Sequence, residues 1–188
     1  PKGFSEAADI ADLAAVAAGH FAPIQDWLRT LGDGWPQDPL ASAPEILTDV
    51  QQTLDLPEDS ARYWLQLLTL HNPTDKNIHH WNGWKKTQRL KAAEPLIDKG
   101  LLVQAKRPRA GRTLFLPGGS LEAKAPHLPL ETWKTPLYKL EDTPKLDSRL
   151  NIVLPRIPLP QLFAAAWGRY RDGDVPGHEE LSTERYRR

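Results

Sequence analysis

Apolar residues recur along the first hundred positions at the spacing of three and four that marks helices. Ile10, Leu13, Ala14 and Ala17 form one such face in "EAADIADLAAVAA", with Ser5 as a cap and Gly19 as a stop. Pro23 suits the first turn of a second helix, "PIQDWLRTL", which Gly32 ends. "GDGWPQDPLASA" has the composition of a loop. Ile46, Leu47, Val50 and Leu54 then repeat at helical spacing until Asp55, Leu56 and Pro57 break the chain. The most apolar helix is expected over residues 58–71, with Ala61, Trp64, Leu65 and Leu68 on one face and Asn72-Pro73 at its end. Thr74 is a good cap for a short helix over residues 75–81, and Asn82-Gly83 is a turn signal. Thr87 can cap a further helix over residues 88–99, with Gly100 in the position of a C-terminal glycine stop.

After Gly100 the period changes from helix to strand. Leu101, Val103 and Ala105 alternate with Leu102, Gln104 and Lys106. "RPRAG" reads as a turn and "RTLFLP" as a second strand, so residues 101–105 and 112–116 are expected to pair as an antiparallel hairpin. Prolines 117, 126, 129, 136, 144, 155, 158 and 160 exclude long helices from the next stretch. Residues 120–157 are therefore expected to form an extended arm, ordered but poor in regular structure and anchored by Trp133 and Tyr138. A last helix over residues 161–170 would show Leu162, Phe163, Ala166, Trp167 and Tyr170 on one face, followed by a charged, frayed end.

The order of elements within residues 57–118 resembles a winged helix-turn-helix domain. Residues 58–71 match its first helix, 75–81 its second, "WNGW" its turn, 87–99 its recognition helix, and "GLLVQAKRPRAGRTLFL" its wing. The resemblance covers about one third of the chain of 188 residues. It implies a mainly α fold in three parts. These are a helical N-terminal region (1–56), a winged-helix domain with a small antiparallel β-hairpin (57–118), and a proline-rich extended arm with a C-terminal helix packed on the body (119–188). One feature departs from the pattern. Pro95 removes a hydrogen bond and disfavours helical geometry at Glu94, so the recognition helix is expected either to kink or to divide into two turns.

Charge sharpens this picture. The formal net charge of the chain is zero. Residues 1–73, however, hold 3 basic and 11 acidic side chains, whereas residues 74–115 hold 10 basic and 3 acidic. Turned with Leu90 to the core, the recognition helix points Gln88, Ala92, Pro95 and Lys99 outward, flanked by Arg89 and Lys91. Lys85 and Lys86 stand at the helix start, where the macrodipole disfavours cations and a phosphate would compensate. Lys106, Arg107, Arg109 and Arg112 give the wing four cations and no anion. The expected partner is double-stranded DNA, with the wing (Lys106, Arg107, Arg109, Arg112) on the backbone, Lys86, Gln88, Arg89 and Lys91 facing the groove, and Lys85 beside a phosphate at the helix start. The alternative is a protein-interaction module that docks an acidic partner or a second copy of the chain, because the same segregation of charge favours self-association.

Other chemistry is not expected. Cysteine is absent, which excludes disulfides, thiolate zinc sites and cysteine nucleophiles. His79 and His80 are adjacent and so point to different helix faces; with His71 and His127 they form a poor metal-ligand set. "LPGGS" lacks the lysine of a phosphate loop and the pattern of a nucleophile elbow. The expectation is a protein without catalytic activity, metal or cofactor. Of the tryptophans, Trp27, Trp64 and Trp167 fall on apolar faces, Trp35 and Trp133 suit packing anchors, and Trp81 and Trp84 are expected to pack the turn before the recognition helix. No apolar run reaches the length of a membrane span and no signal peptide is visible, so an intracellular protein is expected. Methionine is absent and the sequence opens on Pro1, which suggests a piece of a longer protein.

Overall fold

The computed structural model describes residues 18–19, 21–122, 129–138, 153 and 155–177 (for 121, 122 and 129, the backbone alone). The helix expected over 6–18, most of the middle of the arm, and His127 lie outside the described residues. Helices α1 (Ala22–Thr30), α2 (Pro39–Ser42), α3 (Pro44–Leu54), α4 (Glu58–Thr69), α5 (Asp75–Asn82) and α6 (Lys86–Asp98) follow one another. Strands β1 (Val103–Gln104) and β2 (Leu114–Phe115) come next, then β3 (Ser120–Glu122), β4 (Pro129–Glu131), a 3-10 helix (Thr132–Tyr138) and α7 (Leu159–Arg171). The fold is mainly helical, as expected, with small antiparallel sheets.

The core forms around α4. The sequence assigns this helix one apolar face, but every residue from Ser60 to Leu70 is buried. Neighbours on all sides are the reason: α2, α3, α6, α7 and the 3-10 helix all pack against it. Buried polar groups on its remaining faces must then be satisfied internally. The Arg62 guanidinium donates to both carboxylate oxygens of Asp38, at 2.6 Å from Nε and 2.5 Å from Nη2. Asp38 also accepts from the Leu40 amide and so caps α2, a turn of helix inside what the composition marks as loop. Gln66 and Asn82 exchange amide hydrogen bonds of 2.8 and 2.9 Å, and Gln66 donates to the Gln37 carbonyl as well. These bonds tie the loop before α2 and the end of α5 to the middle of α4.

The last helix closes the other side. Leu162, Phe163, Ala166 and Trp167 are buried, as the spacing predicts. Trp64 meets Trp167 and Tyr170 edge-on, with ring centroids 5.9 and 4.9 Å away. The Trp167 indole donates to Asp49 of α3 at 2.7 Å. One continuous hydrophobic cluster therefore takes in Leu47 and Val50, Leu67 and Leu68, Leu96 and Leu102, Tyr138, and Leu162 and Phe163. Residues 57–118 share this cluster with α3, the 3-10 helix and α7.

The hairpin forms where the alternation places it. Val103 pairs with Phe115 and Gln104 with Leu114, antiparallel, and the Ala105 amide extends the ladder to the Thr113 carbonyl. Gly100 takes the left-handed conformation that ends α6 (φ 68°). The arm departs from expectation in holding regular structure. Ser120–Glu122 and Pro129–Glu131 form a second antiparallel pair, and a 3-10 helix follows. Proline is compatible with both, since it suits edge strands and short turns. The anchors are placed as expected: the Tyr138 hydroxyl donates to the Thr69 carbonyl at 2.9 Å, and the Trp133 indole donates to Asp174.

Candidate nucleic-acid interface

The start of α6 is set by the element before it. Thr74 accepts from the Asn77 amide and caps α5, as expected, and Gly83 ends α5 in a left-handed turn. Trp84 then inserts into the core edge-on to Tyr63 and beneath the Arg62 guanidinium, which lies 5.2 Å from the ring centre. Anchored this way, the chain enters α6 at Lys85, two residues before Thr87. Lys85 is the cap residue, makes no side-chain capping bond, and the first turn holds no acidic residue. The cap expected from Thr87 is therefore not used. Pro95 lies inside an α6 that runs unbroken to Asp98, so the helix does not divide.

The face of α6 that meets the core is not the expected one. Arg89, Ala92, Ala93 and Leu96 are buried, while Leu90 and Ile97 are 45% and 44% exposed. The helix is turned by about one position because Arg89 has buried partners that compete with Leu90 for the inward face. The Arg89 guanidinium lies 3.0 Å from Asp75 Oδ2, and it donates to His79 Nε2 at 3.3 Å and to the Tyr63 hydroxyl at 3.4 Å. Burial pushes the Tyr63 phenol up, with Arg89 opposing. Arg89, expected to face a groove, is an internal counter-ion instead.

The wing cations divide in a similar way. Lys106 and Arg109 are exposed. Arg107 is half-buried, donates to the Gly118 carbonyl at 3.1 Å, and stacks on Phe115 with 4.3 Å between guanidinium and ring centre. Arg112 is buried, stacks on the same ring at 4.8 Å, and bonds Glu131 Oε1 at 2.8 Å. Lys134 completes the group from the 3-10 helix, 3.0 Å from Glu131 Oε2 and donating to the Leu70 carbonyl at 2.7 Å. Burial alone would raise the Glu131 carboxyl, but Lys134 and Arg112 outweigh it and hold the group at about 2. Burial brings Lys134 down to about 8 despite Glu131. Arg112 therefore pins the arm to the hairpin and is not a surface contact.

Of the nine residues expected at the interface, Lys85, Lys86, Gln88, Lys91, Lys106 and Arg109 are at the surface. The Gln88 amide is engaged, donating to Asp59 Oδ2 at 2.9 Å. The five cations of this set form no ion pair among the described residues. The sequence reading missed Asp75, Glu131 and Lys134, which neutralise or share the buried arginines. Nothing in the local sequence marks Glu131 as the partner of Arg112, 19 positions earlier.

His71 and His80, with Trp35, Trp81 and Trp133, make ring or core contacts. His71 lies edge-on to Tyr138, and burial together with Lys134 pushes its imidazole down to about 4. His80 lies against the exposed Trp35 in a tilted arrangement, with ring centroids 4.4 Å apart. Trp81 is half-buried against the core and Trp133 lies under Arg169. Among the described residues no group of three histidines, cysteines or carboxylates could hold a metal ion, and no helix is long and apolar enough to cross a membrane. Comparison with family models, with curated proteins and with solved structures gives no match.

Proposed function

We propose that residues 57–118 act as a winged helix-turn-helix module on duplex DNA, with the first half of α6 at the groove and the hairpin tip on the backbone. The observation that carries this reading is the set of exposed cations without ionic partners among the described residues: Lys85, Lys86 and Lys91 on α6, Lys106 and Arg109 on the turn. Lys85 and Lys86 stand at the positive end of the helix dipole, where an anion is favoured and a cation is not. The order α4, α5, α6 and hairpin supports the same reading. The test is binding of random-sequence duplex by the full chain at several salt concentrations. Each phosphate neutralised contributes about −0.9 to the slope of log affinity against log salt. Replacing both Lys106 and Arg109 with alanine should flatten the slope by roughly two, with folding unchanged because exposed cations add little to stability. Gln88→Ala should alter sequence preference more than the slope, since an amide reads bases without neutralising charge. Unchanged affinity and slope in the double variant would remove the wing from the interface.

A second reading has its own observation. Leu90 and Ile97 stand two helical turns apart and are both exposed, an apolar stripe on the outer face of α6. That stripe suits a protein partner or a second copy of the chain better than a phosphate backbone. Leu90→Glu should abolish self-association in sedimentation if this reading holds, and should leave a monomeric DNA binder monomeric.

A further inference from the structure

Three cations gather around one carboxylate beneath the wing. Glu131 is ion-paired on both sides: Oε1 accepts from Arg112, and Oε2 lies 3.0 Å from Lys134 but is buried without a hydrogen bond. Lys134 has the Leu70 carbonyl in addition. Arg107 has a neutral acceptor, the Gly118 carbonyl. Two guanidinium nitrogens, Arg107 Nη1 and Arg112 Nε, are buried without any acceptor. Elsewhere the chain matches its buried arginines, Arg62 with both oxygens of Asp38 and Arg89 with Asp75. Here, among the described residues, three cations face one carboxylate, an excess of two positive charges. Burial lowers the Arg107 guanidinium, with Arg112 adding to the effect and Glu131 opposing it. An unmatched buried charge and an unmade charged hydrogen bond are both destabilising, so the arrangement is complete only when an anion joins it.

We propose that Arg107 and Arg112 form a subsite for one phosphate oxyanion, entered from the side of Arg107. Both guanidiniums are fixed on the Phe115 ring, at 4.3 and 4.8 Å, so neither has to be ordered when the anion arrives. Arg107 is the one member of the four that is not buried, which gives the ligand its route. Two guanidinium planes match the tetrahedral oxygens of phosphate; a free phosphate dianion would balance both excess charges, and a backbone phosphodiester, a monoanion, one of them. The phosphate comes either from the backbone of a bound nucleic acid, which rests on the function proposed above, or from a free phosphate ion, which does not.

The experiment follows the arginine Nε–H signals of the ¹⁵N-labelled full chain during two titrations. One uses inorganic phosphate and the other a duplex lacking terminal phosphates. The expected result is a saturable shift of the Arg107 and Arg112 signals. Arg107→Gln, at a half-exposed position, should weaken binding by about tenfold or more, the equivalent of one lost charge-assisted hydrogen bond. Lys76→Gln, at an exposed position on α5, should change phosphate affinity by less than about twofold, because the field of a distant exposed cation is screened by salt. A shift with phosphate alone assigns the subsite to free phosphate and leaves it standing whether or not DNA binds. A shift with duplex, alone or competing with phosphate, assigns it to the backbone. No saturable shift in either titration, or an equal loss from Lys76→Gln, overturns the subsite.

Discussion

Arg89 and Lys91 are two residues apart on one helix and have opposite surroundings. Arg89 is 4% exposed and paired with Asp75, whereas Lys91 is at the surface and has no ion-pair partner among the described residues. Arg89→Gln strands Asp75 and the Tyr63 hydroxyl, and should lower stability by about 3 kcal/mol in urea unfolding. Lys91→Ala should stay within about 0.5 kcal/mol. Equal effects would show that Arg89 is not the structural member of the pair. A second residue makes stability depend on pH. His71 is held at about 4, below its ordinary 6.5. The unfolded chain takes up this proton near pH 6.5, while the folded chain resists until about 4. Stability should therefore be full above 6.5 and fall between 6.5 and 4, by about 3 kcal/mol at most. His71→Phe should flatten that window. Glu131 acts in a lower one: its contribution is present above 4.5 and lost as pH falls toward about 2. At this scale the sequence is least informative. Arg89 and Lys91 look alike in it because burial is decided by counter-ions, and those of Arg89 and Arg112 stand 14 and 19 positions away.

Helix α6 shows why element boundaries are more legible than element faces. Gly100 and the change to strand period fix where it ends, and those signals are local. Its rotation is not local. Leu90 is the obvious inward residue by hydrophobicity, yet Ala92, Ala93 and Leu96 supply the packed face and Arg89 the buried ion pair. The small size of the two alanines conceals that face from a reading weighted toward large apolar side chains. Pro95 sits in this helix without ending it, and its missing amide leaves the Lys91 carbonyl without its helical donor. Pro95→Ala should restore that bond and raise stability by roughly 1–2 kcal/mol, the gain in the helix being reduced by the freer unfolded chain. A lower denaturation midpoint would mean that the proline ring packs where it lies. The hairpin has its own sensitive point. Gly111 has φ 63°, a Cβ there would stand 2.9 Å from Thr74 Cγ2, and its carbonyl accepts from the Asp75 amide at the start of α5. Gly111→Ala should cost about 1–3 kcal/mol through backbone strain and the displaced Thr74, while Gly32→Ala, in open space, should not. Denaturation midpoints of the two variants separate these outcomes.

At the scale of the whole molecule, the sequence divides where the structure does not. The composition changes near residues 56 and 118, and the winged-helix resemblance falls between them. Helix α4, however, is buried on every side, and part of its cover comes from outside that interval. Leu47 and Val50 of α3, Tyr138 of the 3-10 helix, and Leu162, Phe163 and Trp167 of α7 all belong to its cluster. Local periodicity cannot reveal this, because it reports which face of a helix is apolar and not how many neighbours converge on it. The consequence is testable by truncation. At roughly 2 kcal/mol for each large apolar side chain buried, the six residues named are comparable with the whole stability of a domain, about 5–15 kcal/mol. The fragment 57–118 should therefore show a broad, non-cooperative thermal transition by circular dichroism, and the full chain a single sharp one. The fragment also loses Glu131 and Lys134, so Arg112 would be left as a buried cation without its carboxylate. If the fragment melts cooperatively and keeps a dispersed spectrum, residues 57–118 are self-sufficient, and the elements around α4 are additions to a free-standing module.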